Sequence, residues 1–369
     1  MQYIELGETG LEVSRLGFGC IKFDQLDQAT VTEALNGAID LGINFFDTAR
    51  AYGPSEEMIG EAIASRREEY FLATKTGERD GADAAAQIEE SLQNLRTDYI
   101  DLYQLHNVAT PEEWEAAMGS GGALEALLEA KREGKIGHIG ITIHRSLENM
   151  RKALEMPELE TLMVLYNPLD EENVGEELLP LAGDSETGII VMKALSGGRL
   201  TSREEGRTEI EEGERDPVVE GCLRFVLANS NVDVVIPGMR TAAEVEENVA
   251  TEGMKPLSEE EEERLLTEIG RLDRSYKYDQ ECLQCGYCQP CPQGVEIPKI
   301  FRSVYVWEQY PDSVRNEVLR LASSVEVGPE GCIECEECLG ECPAGIDIPA
   351  RLKEVADDFR QIREKAKRS

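Results

Sequence analysis

Eight short apolar runs alternating with helix-spaced patterns predict an α/β chain built as a (β/α)8 barrel, followed by a small, mainly α-helical domain. Three observations carry that prediction. The alternation persists from residue 16 to residue 250, three consecutive apolar runs end in ionisable side chains, and eight of the ten cysteines fall in two close clusters after residue 281. The domains expected are therefore residues 1–275 and residues 276–369.

Residues 2–6 and 11–14 read as a hairpin around a turn at 7–10. Residues 16–19 are the first barrel strand, with glycines that permit close approach of backbone or ligand. Residues 30–41 place Val31, Ala34, Leu35, Ala38 and Ile39 on one helical face, and Gly42 is placed to end it. Strands are then expected at 43–47, 70–75, 99–105, 136–142, 161–165, 188–192 and 232–236. The helices between and after them are expected at 55–64, 83–95, 123–132, 147–155, 175–182, 216–228 and 242–250. Residues 109–122 read as an insertion, residues 202–214 as a charged loop, and residues 258–274 as a charged helix opened by a Ser258/Glu261 capping box.

The net charge of −37, from 74 acidic against 37 basic residues, argues against nucleic acid and anionic membrane as partners. No apolar run is long enough for a membrane span and the N-terminus lacks a signal pattern, so a soluble cytoplasmic chain is expected. In a long, unsignalled chain, clustered cysteines favour metal binding over a disulfide framework.

The ionisable strand ends are Asp47, with Tyr52 five residues on, Lys75 and His106. Parallel barrel strands open all their C-terminal ends on one face, where these four groups would converge. A phenol with a reference pKa of about 10 donates poorly near neutrality until an ammonium stabilises its phenolate. Lys75 can supply that charge, Asp47 can hold Lys75 charged and aimed, and His106 can orient a substrate oxygen. The product is a tuned acid facing a carbonyl.

In this pattern the sequence resembles the aldo-keto reductase family over residues 1–275. The resemblance implies a TIM-type barrel, an extended NADP or NAD cofactor, hydride transfer to a carbonyl, and Tyr52 as general acid. It also implies nucleotide contacts from Gly19 and Cys20 at the mouth, from Thr142 and Met163 near the carboxamide, and from Met192, Lys193, Leu195 and Gly197 after strand seven. Pro237, Gly238, Met239, Arg240, Glu247 and Asn248 would meet the adenosine end, and residues 202–214 would be a mobile lid. The chain departs from the family pattern at Ile143, where asparagine is usual, at Met163, where glutamine is common, and at Gly238, where lysine is usual. Glu244 stands where an arginine usually grips a 2′-phosphate, which leaves Arg240 for that task and the choice of NADP or NAD open.

The cysteines form an internal repeat: Cys282, Cys285, Cys288 and Cys291 before Pro292, then Cys332, Cys335, Cys338 and Cys342 before Pro343. The match continues, since Gly294-Val295-Glu296-Ile297-Pro298 recurs as Gly345-Ile346-Asp347-Ile348-Pro349, each proline suiting the first turn of a helix. The second run has bacterial ferredoxin spacing, in which the cysteine before proline ligates the other [4Fe-4S] cluster. By that logic Cys282, Cys285, Cys288 and Cys342 would hold one cluster, and Cys332, Cys335, Cys338 and Cys291 the second. Zinc is the alternative, although it has no use for the third close cysteine of each run. Apolar positions between the runs predict helices around the clusters.

The whole chain resembles a subgroup of aldo-keto reductase-like proteins fused to a ferredoxin domain. This implies an oxidoreductase that reduces a carbonyl substrate or oxidises an alcohol, with a redox partner protein for its clusters. The alternatives are an electron-transfer or redox-sensing module whose barrel docks a partner, and clusters that only staple their domain. Nicotinamide moves two electrons together whereas a cluster moves one, and the sequence carries no sign of a flavin to mediate.

Overall fold

The computed structural model of the chain describes its residues except 145, 169–170, 184, 199, 202–214, 273–281, 283–286, 310–314, 343–345 and 367–369. The chain divides into two compact units, Met1–Gly198 with Pro217–Leu266, and Arg199–Asp216 with Thr267–Ser369.

In the first unit, β1 (Tyr3–Glu5) and β2 (Glu12–Ser14) form the expected antiparallel hairpin. Its Leu6 is fully buried, so close to Gly188 that a side chain there would collide with it. The hairpin thus closes the end of the barrel where the strands begin. The barrel strands are β3 (Phe18–Gly19), β4 (Phe45–Asp47), β5 (Phe71–Thr76), β6 (Ile100–Leu105), β7 (Ile136–Ile143), β8 (Thr161–Leu165), β9 (Gly188–Met192) and β10 (Val234–Val235), each parallel to its sequence neighbour. Parallel bridges Leu16↔Val235 and Gly19↔Gly238 complete the circle. A Cβ at Gly19 would lie 2.9 Å from the Ile236 carbonyl oxygen, so closure at this point requires glycine.

The surrounding helices are α1 (Gln28–Asp40), α2 (Ser55–Ile63), α3 (Gly81–Asn94), α4 (Pro111–Met118), α5 (Ala123–Arg132), α6 (Leu147–Leu154), α7 (Leu179–Ala182), α8 (Pro217–Ala228) and α9 (Ala242–Val249). On α1 the five residues expected on one face are the five that are buried. Two expectations are corrected. The insertion at 109–122 contains α4, because Thr110 and Glu113 close a full capping box, Pro111 occupies the first turn, and Trp114 is buried. The helix expected over 175–182 is confined to α7, preceded by a wider π-type segment at Glu171–Leu178, since Pro180 cannot donate to a continuous ladder. The next helix, α10 (Glu259–Leu272), carries the predicted Ser258/Glu261 capping box, with Ser258 N donating to Glu261 Oε2 at 2.8 Å and Glu261 N to Ser258 Oγ at 3.3 Å. Residues 273–274 of that expected helix and the whole loop expected at 202–214 lie outside the described residues.

The second unit contains α11 (Ile297–Gln309), α12 (Arg315–Ser324) and α13 (Ile348–Ala366), packed pairwise around Val295, Ile300, Val304, Val318, Ala322, Leu352 and Phe359. Pro298 and Pro349 are each the second residue of a helix, as the repeat predicts. Asp347 caps α13 by accepting from Ala350 N at 3.0 Å.

Candidate active site

The structure brings Asp47, Tyr52, Lys75 and His106 together at the C-terminal ends of β4, β5 and β6. Lys75 Nζ lies 2.5 Å from Asp47 Oδ1 and also donates to Thr48 O at 2.7 Å, with both charged side chains buried. The ammonium sits 5.1 Å from the centre of the Tyr52 ring, and that ring meets His106 edge-on with centroids 5.8 Å apart.

Tyr52 stands on a loop held at several points. Arg50 N donates to Lys75 O at 3.1 Å, and the Arg50 guanidinium pairs with buried Glu56 and with Glu90, each at 2.7 Å. Glu56 also accepts from Thr74 Oγ1 at 2.7 Å, which ties the start of α2 to β5. Thr48 Oγ1 and Ser55 Oγ share a hydrogen bond of 2.8 Å across the loop.

Burial sets the protonation states. It is the main force pushing the Lys75 ammonium below its ordinary range and the Asp47 carboxyl above its own, and each partner's charge opposes the other's shift. The Gln104 amide adds to the opposition at Asp47, donating to Oδ2 at 3.0 Å. His106 is held well below 6.5, first by burial and then by the positive charges of Lys75, Arg79 and Lys193. It is therefore a neutral imidazole at physiological pH, suited to hydrogen bonding rather than to carrying charge.

Several residues here escaped the sequence reading. Gln104 is a polar side chain two residues before His106 in a fully buried strand, and that placement could have found it. His144 lies one residue past the end of β7; its ring lies 6.5 Å from His106, and its Nδ1 is 3.3 Å from Lys193 Nζ. Nothing local in the sequence marks the approach of His144 to His106.

The residues expected to contact a nucleotide fall into three groups. Around the loop after β9, Lys193, Ser196, Gly197 and Gly198 have φ of 56°, 47°, 73° and 96°, a run of left-handed residues that curls the backbone into the kind of concavity that accepts phosphate. Leu195 packs on the core behind this loop, and Met192 is buried where β9 ends. The second group lines β7, β8 and β3. Thr142 is buried with its hydroxyl accepting from Asn107 N at 2.7 Å, Met163 pairs in register with Thr142, and Ile143 is buried. Gly19 belongs to the barrel closure, and Cys20 is a fully buried thiol whose pKa burial raises. In the third group Pro237, Met239 and Asn248 are buried, Glu247 is partly covered, and Gly238 and Arg240 are exposed. Arg240 is engaged by Glu244, its Nη2 lying 2.6 Å from Oε1 and its backbone N–H 2.7 Å from Oε2.

In the second unit Cys282, Cys288, Cys291, Cys332, Cys338 and Cys342 pack against the helical core, Cys335 is exposed, and Cys285 lies outside the described residues. Burial pushes the Cys338 thiol up to about 11, and Cys332, Cys335 and Cys291 add to the rise. Cys338 therefore lies within electrostatic reach of a cysteine from the other run. Glu334 and Glu336 between the cysteines have φ of 57° and 65°, another left-handed curl suited to an anionic group. Among the described residues no three ligating side chains are close enough to hold a single metal ion.

A parallel barrel with buried polar groups gathered at the strand C-termini is an enzyme architecture. Residues 15–267 match the aldo/keto reductase family, and residues 281–346 match the 4Fe-4S dicluster domain. The chain belongs to the aldo/keto reductase family and carries a C-terminal 4Fe-4S dicluster domain; it is an oxidoreductase. It is 30% identical over 298 residues to the "Uncharacterized oxidoreductase YqkF" of Bacillus subtilis, covering 71% of this chain and 94% of the relative. It is also 30% identical to L-galactose dehydrogenase of Arabidopsis thaliana, over 66% of this chain and 86% of that one. The holo form of aldo-keto reductase AKR11C1 from Bacillus halodurans superposes with a TM-score of 0.62 at 29% identity, over 73% of this chain and 96% of that chain. Among the described residues no helix is long and apolar enough to cross a membrane.

Proposed function

We propose that the barrel reduces a carbonyl compound, or oxidises the corresponding alcohol, with NAD(P)H as hydride carrier and Tyr52 as general acid. The observation that carries this reading is the buried Lys75 ammonium, bonded to Asp47 and 5.1 Å from the Tyr52 ring. When bound, the nicotinamide would supply hydride to the carbonyl carbon. Tyr52 would give its proton to the carbonyl oxygen as that oxygen gains charge, and Lys75 would stabilise the phenolate left behind. Neutral His106 would donate a hydrogen bond to the same oxygen and fix which face of the carbonyl meets the cofactor.

The loop at 193–198 would hold the pyrophosphate. At the adenosine end, Glu244 already occupies Arg240, so a ribose hydroxyl, for which a carboxylate is a good acceptor, fits better than a 2′-phosphate. NADH is therefore the expected carrier, and the ratio of kcat/KM for NADH and NADPH tests it. Cys332, Cys335, Cys338 and Cys291 would ligate one cluster and Cys282, Cys285, Cys288 and Cys342 the other, serving one-electron exchange with a partner protein.

Tyr52→Phe separates this reading from its rival, an electron-transfer module whose barrel only docks a partner. The variant should lose carbonyl reduction by about 10²–10⁴-fold, the usual contribution of a positioned acid, with nucleotide affinity retained. If carbonyl reduction survives unchanged, Tyr52 is not the acid and the reading fails.

A further inference from the structure

Lys75, Gln104, Gly140 and Thr161 form one register row across β5, β6, β7 and β8. Residues paired in this way share a face of the sheet, and Lys75 and Gln104 both reach Asp47, which places the row inside the barrel. Gly140 has no side chain, and its two neighbours lean over it. A Cβ at Gly140 would fall 2.2 Å from Thr161 Oγ1 and 3.0 Å from Gln104 Cγ.

Among the described residues, two polar atoms of this row find no hydrogen-bond partner. Gln104 Oε1 and Thr161 Oγ1 are both buried and unsatisfied, although both residues are 0% exposed. Turning the Gln104 amide over would not help, since it would set Oε1 against the Asp47 carboxylate and forfeit the donor that now reaches Oδ2. A buried amide oxygen and a buried hydroxyl, carried by residues on either side of a glycine in one register row, each call for a partner of the kind a structural water supplies.

We propose that an ordered water bridges Gln104 Oε1 and Thr161 Oγ1 over Gly140, and that it makes Gln104 a positioning residue for the Asp47–Lys75 pair. The water fixes one end of the amide, so that the other end stays aimed at Asp47 Oδ2. Held there, Asp47 remains ionised against the pull of burial, and Lys75 stays charged beneath Tyr52. The proposal rests on the catalytic reading given above, because its kinetic effect passes through Tyr52.

The test uses the cluster-loaded full chain. Thr161→Val keeps the shape and removes the hydroxyl, and Gln104→Met removes the amide at similar length. Gln104→Met should lower kcat about tenfold, as expected for losing one hydrogen bond to a charged group. Thr161→Val should lower it about threefold, and both should move the acid limb of the kcat–pH profile to higher pH while KM for the nucleotide stays fixed. In the double variant the valine should add nothing further, since the water acts only through the amide. A Thr161→Val profile that superimposes on the wild type, or strictly additive effects, would overturn the proposal. A high-resolution crystal structure gives a readout independent of turnover: a water bonded to both atoms supports the proposal and a dry gap rejects it. If Tyr52→Phe retains activity while the water is present, the catalytic reading fails and the bridge stands.

Discussion

The two units build their chemistry by opposite routes. In the barrel, Asp47, Lys75 and His106 come from three strands, and backbone ladders hold them in place before any substrate arrives. In the second unit the cysteines come from two short repeats, and those described, apart from Cys335, pack against a core of three helices. Order in the barrel site is thus a property of the whole sheet, whereas the grouping of the cysteines is a property of local spacing. A unit of this size has a core worth only about 3–5 kcal/mol, so metal–thiolate bonds are expected to decide whether it folds.

The largest effect should come from taking the iron away. Anaerobic chelation, or Cys332→Ser with Cys338→Ser, should leave residues 282–366 open to protease while the barrel keeps its own unfolding transition. A second unit that stays resistant without iron would erase the contrast between the two routes.

Next comes the buried ion pair. Asp47→Asn leaves the Lys75 charge without its partner, which should cost about 3–5 kcal/mol in denaturant unfolding of the barrel. Pairing it with Lys75→Met should restore most of that stability and none of the turnover. Such a split would separate what the pair does for Tyr52 from what it does for the fold; recovery of both would mean that the pair has no catalytic role.

His106 sharpens the comparison through pH. Below pH 6.5 the unfolded chain binds a proton that buried His106 refuses, so its contribution makes stability fall as pH drops from 6.5, by at most about 1.4 kcal/mol per unit. Above 6.5 that contribution is flat. His106→Gln should remove this part of the slope, and an unchanged slope between pH 6.5 and 5 would mean that His106 charges freely in the fold.

The smallest effect belongs to a local device. Thr110→Ala should cost about 1 kcal/mol by removing the α4 cap, with no change in kinetics. A kinetic effect would mean that α4 takes part in the site.

The same contrast explains what was legible in the sequence. Asp47, Tyr52, Lys75 and His106 could be read because each ends or follows an apolar run, and strand ends in a parallel barrel point to one face. The cysteine repeat could be read because its spacing is local. Helix α4 is short and, although Thr110, Pro111 and Glu113 spell a cap, it buries only Trp114 and Ala117, so its apolar periodicity is too weak to stand out in the sequence. The leaning of Gln104 and Thr161 over Gly140 depends on register across three strands, and register is not written in any one of them. The Arg240–Glu244 pair joins the residue before the Thr241 cap to the first turn of α9, so it depends on how the chain enters that helix and not on helical spacing.

Hydride transfer in the barrel can be followed by a label. Anaerobic single turnover with NADH deuterated at C4 and an aldehyde substrate, in water, would locate the transferred hydrogen. Direct hydride transfer would leave deuterium on the carbinol carbon of the product, with no reduction of the clusters needed for that turnover. Product carrying only solvent hydrogen, together with reduced clusters, would contradict it and make the clusters the route by which electrons leave the nucleotide.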